Sequence, residues 1–349
     1  MRIFVEEKVV NIANFNCTFG IDGRTYPMLK YFQSLLFPAI TSGSFARKGK
    51  NGSFYLTDVE LVDISNDKNV RELALIGKHI RKVVLDIRND FEVGKGLIHV
   101  GERRPSAPFS TFILLLRNHR LIHYRDQAGS PDVRSLAVTF EVAMKSFRKK
   151  YIKTVVEQYE ETGEYPLTET LGEISKKAFP TKAKLNKYLY DKLPLPVINI
   201  IPIPDKDVVE STFSKITKIT ELNFRFFSLN SELQVNGLLQ QLNDFSDEIS
   251  PSSGNLIYKN PTKLNRVEKA VEESRGLTDI KISAFMGKDK VTLSTDSFTE
   301  NIPLKVPVNE DLVYQAKDIY SNLNSRRQLR TTSDENKLNY AEFLLKVFK

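Results

Sequence analysis

The chain has almost no cysteine: Cys17 is the only one in 349 residues, which excludes an internal disulfide and any cysteine-rich zinc site. Asn14, Asn16 and Thr18 around it offer no basic niche for a reactive thiol, so Cys17 reads as a small buried side chain. Tryptophan is absent and there are four histidines, His79, His99, His119 and His123. His119 and His123 are four apart, but they fall in an expected hairpin rather than on one helical face, so no metal site follows. No run of eighteen apolar residues occurs, and Glu6, Glu7 and Lys8 interrupt the start where a signal peptide needs an apolar stretch. The expectation is a protein that does not span a membrane and resides in the cytoplasm. No GxxxxGK[ST], no GxGxxG after a strand and no GxSxG occurs, which removes the commonest phosphate cradles and hydrolase nucleophiles.

Apolar residues make up 41% of the chain and aromatics 10%, enough for a sizeable core, and the length predicts two folded units or one elaborated unit with a satellite. The expected fold class is α+β. Residues 1–162 read as a mixed domain with a hairpin and a long helix, 163–193 as a helical connector, and 194–349 as a C-terminal ferredoxin-like α+β sandwich with terminal helices.

In the first part a helix is expected around Tyr26 to Phe37 and strands at Ser53 to Asp63 and Leu97 to Val100. Ser42 to Gly52 reads as an exposed loop whose Arg47, Lys48 and Lys50 are solvated or touch phosphate, and Glu102 to Pro108 as a Pro-bearing connector. Two apolar runs flank Arg117 to Arg120, the pattern of a β-hairpin. From Pro131 the spacing of Val133, Leu136, Phe140, Met144, Phe147, Tyr151, Val155 and Tyr159 predicts a long helix, capped by Asp132 and stopped by Gly163. Thr168 to Phe179 and Thr181 to Leu193 are shorter helical candidates. Beyond Pro194 the run VINIIPI reads as a buried strand and ELNFRFFSLN as another. Helices are expected near Asp207 to Lys218, Leu233 to Ser246 and Arg266 to Glu273, with a hairpin over Asp279 to Thr295. The tail carries a helix to about Asn324, a basic polar stretch, and an amphipathic end with Leu338, Phe343, Leu344, Val347 and Phe348. That end docks on its own core or joins two chains.

The net charge is +8, and its distribution says more than its sum. Lys145, Lys149 and Lys153 recur every four residues on the long helix, flanked by Arg148 and Lys150, opposite the apolar stripe. Glu157, Glu160, Glu161 and Glu164 crowd the end of the same helix, the reverse of what the helix dipole selects, so another demand placed the lysines. Lys176, Lys177, Lys182, Lys184 and Lys187 form a second set. Arg326, Arg327 and Arg330 form a third, in a stretch read as flexible. Phosphate contact is the chemistry such edges serve, positioning DNA without reading its sequence. Two other readings stay open: a metal-dependent nuclease using Asp58, Glu60 or Asp63, and an interaction module meeting an acidic protein or anionic lipid. No cofactor is expected.

Four stretches also resemble a family: GSFYLTDVELVDISNDKNVRELALIGK, FSTFILLLRNHRLIHYRDQAGSPDVRSLAVTFE, LPVINIIPIPDKDVVE and LTDIKISAFMGKDKVTLSTDSFTENIPLKV. They are similar, in order, to an aromatic strand with a polar turn and short helix, an apolar hairpin with the following helix, the strand opening a second domain, and a closing hairpin. The family is that of the RexA-like phage-exclusion and anti-phage defence proteins, to which the second component of the Kiwa system is also similar. The resemblance implies a two-domain DNA-binding homodimer acting in abortive infection, with a membrane-protein partner encoded alongside. None of the stretches carries a catalytic or ligand signature, so no site residue is transferred.

Overall fold

The computed structural model describes residues 4–21, 24–42, 46–50, 52–65, 71–164, 179, 181–227, 253–308, 311–330 and 334–347. Its frame is a ten-stranded sheet built around β1 (Val5–Ile21). One edge of β1 pairs first with β14 (Ile302–Pro307) and then, from Ala13 to Phe19, with β9 (Pro196–Pro202). Its other edge pairs with β8 (Arg120–Arg125) and then β2 (Arg24–Pro27). From β8 the sheet continues through β7 (Phe109–Leu115), β5 (Leu73–Glu92), β4 (Gly52–Asp63) and β3 (Ala46–Gly49). All of these pairings are antiparallel. β6 (Gly96–Ser106) pairs with the outer half of β5.

Alternate residues of one strand point to opposite faces, and here both faces are covered. Phe112 and Leu114 enter one core while Ile113 and Leu115 enter another. This is why FSTFILLL shows no polar alternation. The first core takes α1 (Phe37–Thr41), α2 (Val133–Thr162), α3 (Lys182–Lys192) and α8 (Asp334–Val347). The second takes α6 (Leu312–Leu323) and Leu329 of α7 (Arg327–Arg330). Gly77 of β5 fits beneath Phe112: a Cβ there would stand 2.5 Å from the ring.

The expected hairpin and long helix are present with their signals. The Asp132 carboxylate accepts from the Ser135 amide at 2.7 Å, and Gly163 closes α2 at φ +72°. Thr181 caps α3. The candidate helix at Leu233 to Ser246 lies outside the described residues, as does the one at Thr168 to Phe179 except for Phe179 itself.

Several expectations are corrected. The stretch 42–52 holds β3 rather than being a loop throughout, and 102–108 is mostly β6. The segment RELALIGK, expected as a turn and short helix, is the start of the long strand β5. Tyr26 to Phe37 is divided among the end of β2, a 3₁₀ turn at Met28–Tyr31, a π-type turn at Phe32–Leu36 and the start of α1. β9, expected to open a second domain, pairs with β1 along seven residues and so belongs to the large sheet.

A second, four-stranded antiparallel sheet has the order β11 (Ser253–Lys259), β10 (Lys218–Phe227), β12 (Asp279–Met286), β13 (Asp289–Ser294). Its core is closed by Val209 and Phe213 of α4 (Lys206–Phe213) and Val267 and Val271 of α5 (Leu264–Glu273). Ile280, Ile282 and Ala284 alternate into it, as a sheet buried on one face requires. The hairpin over Asp279 to Thr295 is therefore where the periodicity placed it. Among the described residues no helix is long and apolar enough to cross a membrane.

Candidate nucleic-acid interface

α2 buries Leu136, Phe140, Ala143, Met144, Ile152, Val155 and Val156 against the sheet, which turns Lys145, Lys149, Lys150 and Lys153 outward, all exposed. α3 lies beside it: Arg148 of α2 reaches the Tyr190 carbonyl near the end of α3, and Lys182 at its start bonds Glu160 near the end of α2 at 2.7 Å. The helices are thus antiparallel neighbours, and Leu185 and Leu189 anchor α3 while Lys184 and Lys187 stay exposed. This brings the first two basic sets onto one helical pair. Lys176 and Lys177 lie outside the described residues.

The lysines differ in what already holds them. Lys153 stands 3.6 Å from Glu157 and Lys182 is paired with Glu160, an arrangement that raises the Lys182 pKa through that hydrogen bond. Lys145, Lys149, Lys150, Lys184 and Lys187 make no ion pair among the described residues. The acids near the end of α2 therefore neutralise the margin of the face and leave its middle positive. Arg148 is different again: its guanidinium carbon lies 4.8 Å from the Tyr190 ring centre, and burial lowers its pKa. It pins α3 to α2 rather than standing free for a ligand.

Arg326, Arg327 and Arg330 lie elsewhere. They flank Leu329, whose core is on the opposite face of the large sheet from α2. The stretch is docked, not loose: Arg120 and Asn118 donate to the carbonyls of Gln328 and Leu329, and Arg326 is paired with Glu300. The sheet separates Arg326 and the backbone of α7 from the lysines of α2 and α3.

Arg47, read as a loop residue, is captured as well. It lies 4.0 Å from the Phe54 ring centre and donates to Thr139 Oγ1 at 3.1 Å and Ser135 Oγ at 2.9 Å, fastening β3 to the start of α2.

The acids Asp58, Glu60 and Asp63 do not converge. A register shift between Thr57 and Glu60 breaks the alternation that would put Asp58 and Glu60 on one face. Asp58 sits at φ +53° and pairs with Lys78 at 2.9 Å, and Asp63 holds the Ser65 amide and hydroxyl. Among the described residues no group of three or more His, Cys, Asp or Glu side chains could hold a metal ion. His119 sits at φ +53° in the hairpin turn and is buried, as is Cys17.

One exposed feature was missed in the sequence: beyond Val83, β5 and β6 form a two-stranded ribbon carrying Arg88, Lys95, Arg103 and Arg104 alongside apolar residues. The signal for it was EVGKG between two extended runs, a turn at Gly94 and Gly96.

No protein-family model matches this chain, and no curated protein matches it.

Proposed function

We propose that this chain is an anti-phage defence protein of the abortive-infection type that binds duplex DNA without sequence preference through the paired faces of α2 and α3, acting as a homodimer. The observation that carries the DNA reading is the set of exposed lysines without an ion pair among the described residues, Lys145, Lys149, Lys150, Lys184 and Lys187, on two adjacent helices whose acids Glu157 and Glu160 pair with Lys153 and Lys182 at the margin. Such a face engages phosphates as point charges, contacts that position a duplex without reading it. The defence role and a membrane-protein partner rest on the resemblance of the four stretches. A ferredoxin-like character for the smaller sheet belongs to the same proposal, supported by one split β-α-β unit in which β11, α5 and β12 enclose β10.

The test is duplex binding by fluorescence anisotropy as a function of salt. Five engaged lysines give a slope of log K against log[salt] of about −4 to −5, the same for unrelated sequences. No binding at low salt, or a slope near zero, overturns the reading.

A further inference from the structure

The four-stranded sheet has an inner and an outer face. Ile219, Leu222 and Phe224 of β10 stand opposite Ala284, Ile282 and Ile280 of β12, and all six enter the core closed by α4 and α5. Cross-strand partners share a face, so the residues between them form the outer one. Lys218, Phe285 and Lys290 make one row of it, and Ile257, Asn223 and Lys281 another. Arg225, opposite Asp279, and then Phe227 end the face. Thr220 is the extra residue at the register shift, which keeps Lys218 and Glu221 on the same side.

The outer face is positive. Lys218, Arg225, Lys281 and Lys290 are exposed and make no ion pair among the described residues. Its two acids are already engaged: Glu221 pairs with Lys259, and the Asp279 carboxylate accepts from the Thr295 hydroxyl at 2.7 Å. The hydrogen bond from Lys259, with the positive charge of Lys259, Lys281 and Lys290, lowers the Glu221 pKa, so these cations act on one patch. Apolar surface lies between the charges. Ile257 is 50% exposed, Phe227 and Phe285 are half-buried, and the Arg225 guanidinium carbon stands 5.1 Å from the Phe227 ring centre. The Phe227 end opens on a groove of about 330 Å³ walled on its other side by Ala137 and Val138 of α2 and Ile198 and Ile200 of β9. Glu141, the acid of that wall, accepts from the Ile198 amide at 3.0 Å.

We propose that this outer face, with the groove at its end, binds single-stranded DNA. Lys218, Lys281, Lys290 and Arg225 track the phosphates, and Phe227 with the groove beside it takes an unpaired base. Every base has a π face, so stacking on Phe227 tolerates any sequence. A duplex is a poorer occupant, because its base faces are stacked on one another and leave Ile257 and Phe227 nothing apolar to cover. An acidic peptide is poorer too: it meets the lysines but carries no flat ring beside each charge. The choice of DNA over RNA rests on the DNA reading of α2 and α3. The site itself is separate from theirs, since it lies on the other sheet.

The test is fluorescence anisotropy of the full chain with a labelled oligothymidine of about twelve nucleotides and, separately, with a duplex, as a function of salt. The parent is compared with Phe227→Ala, K281E/K290E and K145E/K149E/K153E. The parent should bind the single strand with a slope of log K against log[salt] of about −3, from about 0.7 per phosphate at the four cations without an ion pair. K281E/K290E should reduce that slope by about 1.4, and Phe227→Ala should weaken the single strand about tenfold. Both should leave duplex binding unchanged, and the α2 variant should do the reverse. Lys281 and Lys290 are exposed, so K281E/K290E should melt like the parent and decides the matter even if Phe227→Ala fails to fold. Sheet variants that hold the single strand as tightly as the parent, or that lose single strand and duplex alike, overturn the site. Poly-glutamate displacing the strand as well as unlabelled oligothymidine does also overturns it and assigns the face to an acidic protein. Oligouridine bound more tightly than oligothymidine overturns the choice of DNA. A parent that binds the single strand but no duplex overturns the reading of α2 and α3 and supports this site.

Discussion

The guanidinium of Arg148 lies over the ring of Tyr190 and donates to the Tyr190 backbone carbonyl, so one side chain joins the middle of α2 to the end of α3 by stacking and by a hydrogen bond. An arginine flanked by Lys145, Lys149 and Lys150 looks in sequence like one more phosphate ligand, yet its role is to hold the two basic helices in register. Replacing it with alanine should lower stability in urea by about 1 to 2 kcal/mol. Binding of DNA at fixed salt should fall less for Arg148→Ala than for Lys149→Ala. The reverse order would return Arg148 to the binding face.

Reversal of the exposed edge tests the opposite class of residue. Lys145→Glu, Lys149→Glu and Lys153→Glu together should weaken duplex binding equally across sequences and reduce the salt slope by about 2, since Lys145 and Lys149 are the two of the five engaged lysines that it removes. Stability should change little, since these side chains are exposed and only Lys153 gives up an ion pair, the one with Glu157. A triple variant that binds as tightly as the parent removes α2 from the interface.

Beneath the first turns of α2, burial lowers the pKa of His79 to about 3 and that of His123 to about 4. His79 also feels the positive charge of Arg47 and His123 that of Arg125, while Asp132 works in the opposite direction on His123. Both groups therefore stay neutral in the folded protein while the unfolded chain takes up protons below about pH 6.5. The unfolded state binds more protons in that window, so stability must rise with pH and fall on acidification. The dependence is steepest near pH 5, where each group contributes about 1 kcal/mol per pH unit. Urea unfolding of the parent and of His79→Gln at pH 7, 6 and 5 measures the difference, and the variant should lose about half of the histidine-dependent slope. Parallel pH profiles would show that His79 protonates normally in the fold.

Tyr340 of α8 spans the chain: its hydroxyl accepts from the Leu73 amide at 2.8 Å and donates to the Arg71 carbonyl at 3.0 Å. Burial pushes its pKa well above the ordinary tyrosine value. Tyr340→Phe keeps the ring and strands the buried Leu73 amide, which should cost about 1 to 3 kcal/mol in unfolding free energy. The neighbouring Phe343 stands edge-on to Phe32, with ring centres 5.3 Å apart. The amphipathic C-terminal end therefore docks on its own core. Deleting it from Asp334 onward should lower the melting temperature and leave the sedimentation state of the remaining folded protein unchanged. A deletion variant that melts like the parent would contradict this packing.

Much of the local structure was legible in the residues. Asp132 and Gly163 bound α2, Thr181 starts α3, the polar step at Arg117 to Arg120 turns the β7–β8 hairpin, and alternating apolar residues give β12 and β13. Each of these signals is complete within a few residues, because caps, turns and periodicity are satisfied by neighbours in the chain. What the sequence hid was partnership. VINIIPI announces a strand, but nothing in it says that its hydrogen bonds go to Ala13–Phe19 of β1. The three basic clusters look equivalent in a line of letters. Only the fold puts Lys145, Lys149, Lys184 and Lys187 on one helical pair, sends Arg326 and its neighbours to the far side of a sheet, and turns Arg47 inward onto Ser135 and Thr139. The ribbon escaped for the same reason, since extended residues declare their backbone shape and not how many neighbours that backbone will have. Strand pairing and burial are decided between segments far apart in sequence, by which backbone groups and apolar faces meet, and that decision exists only in the folded chain.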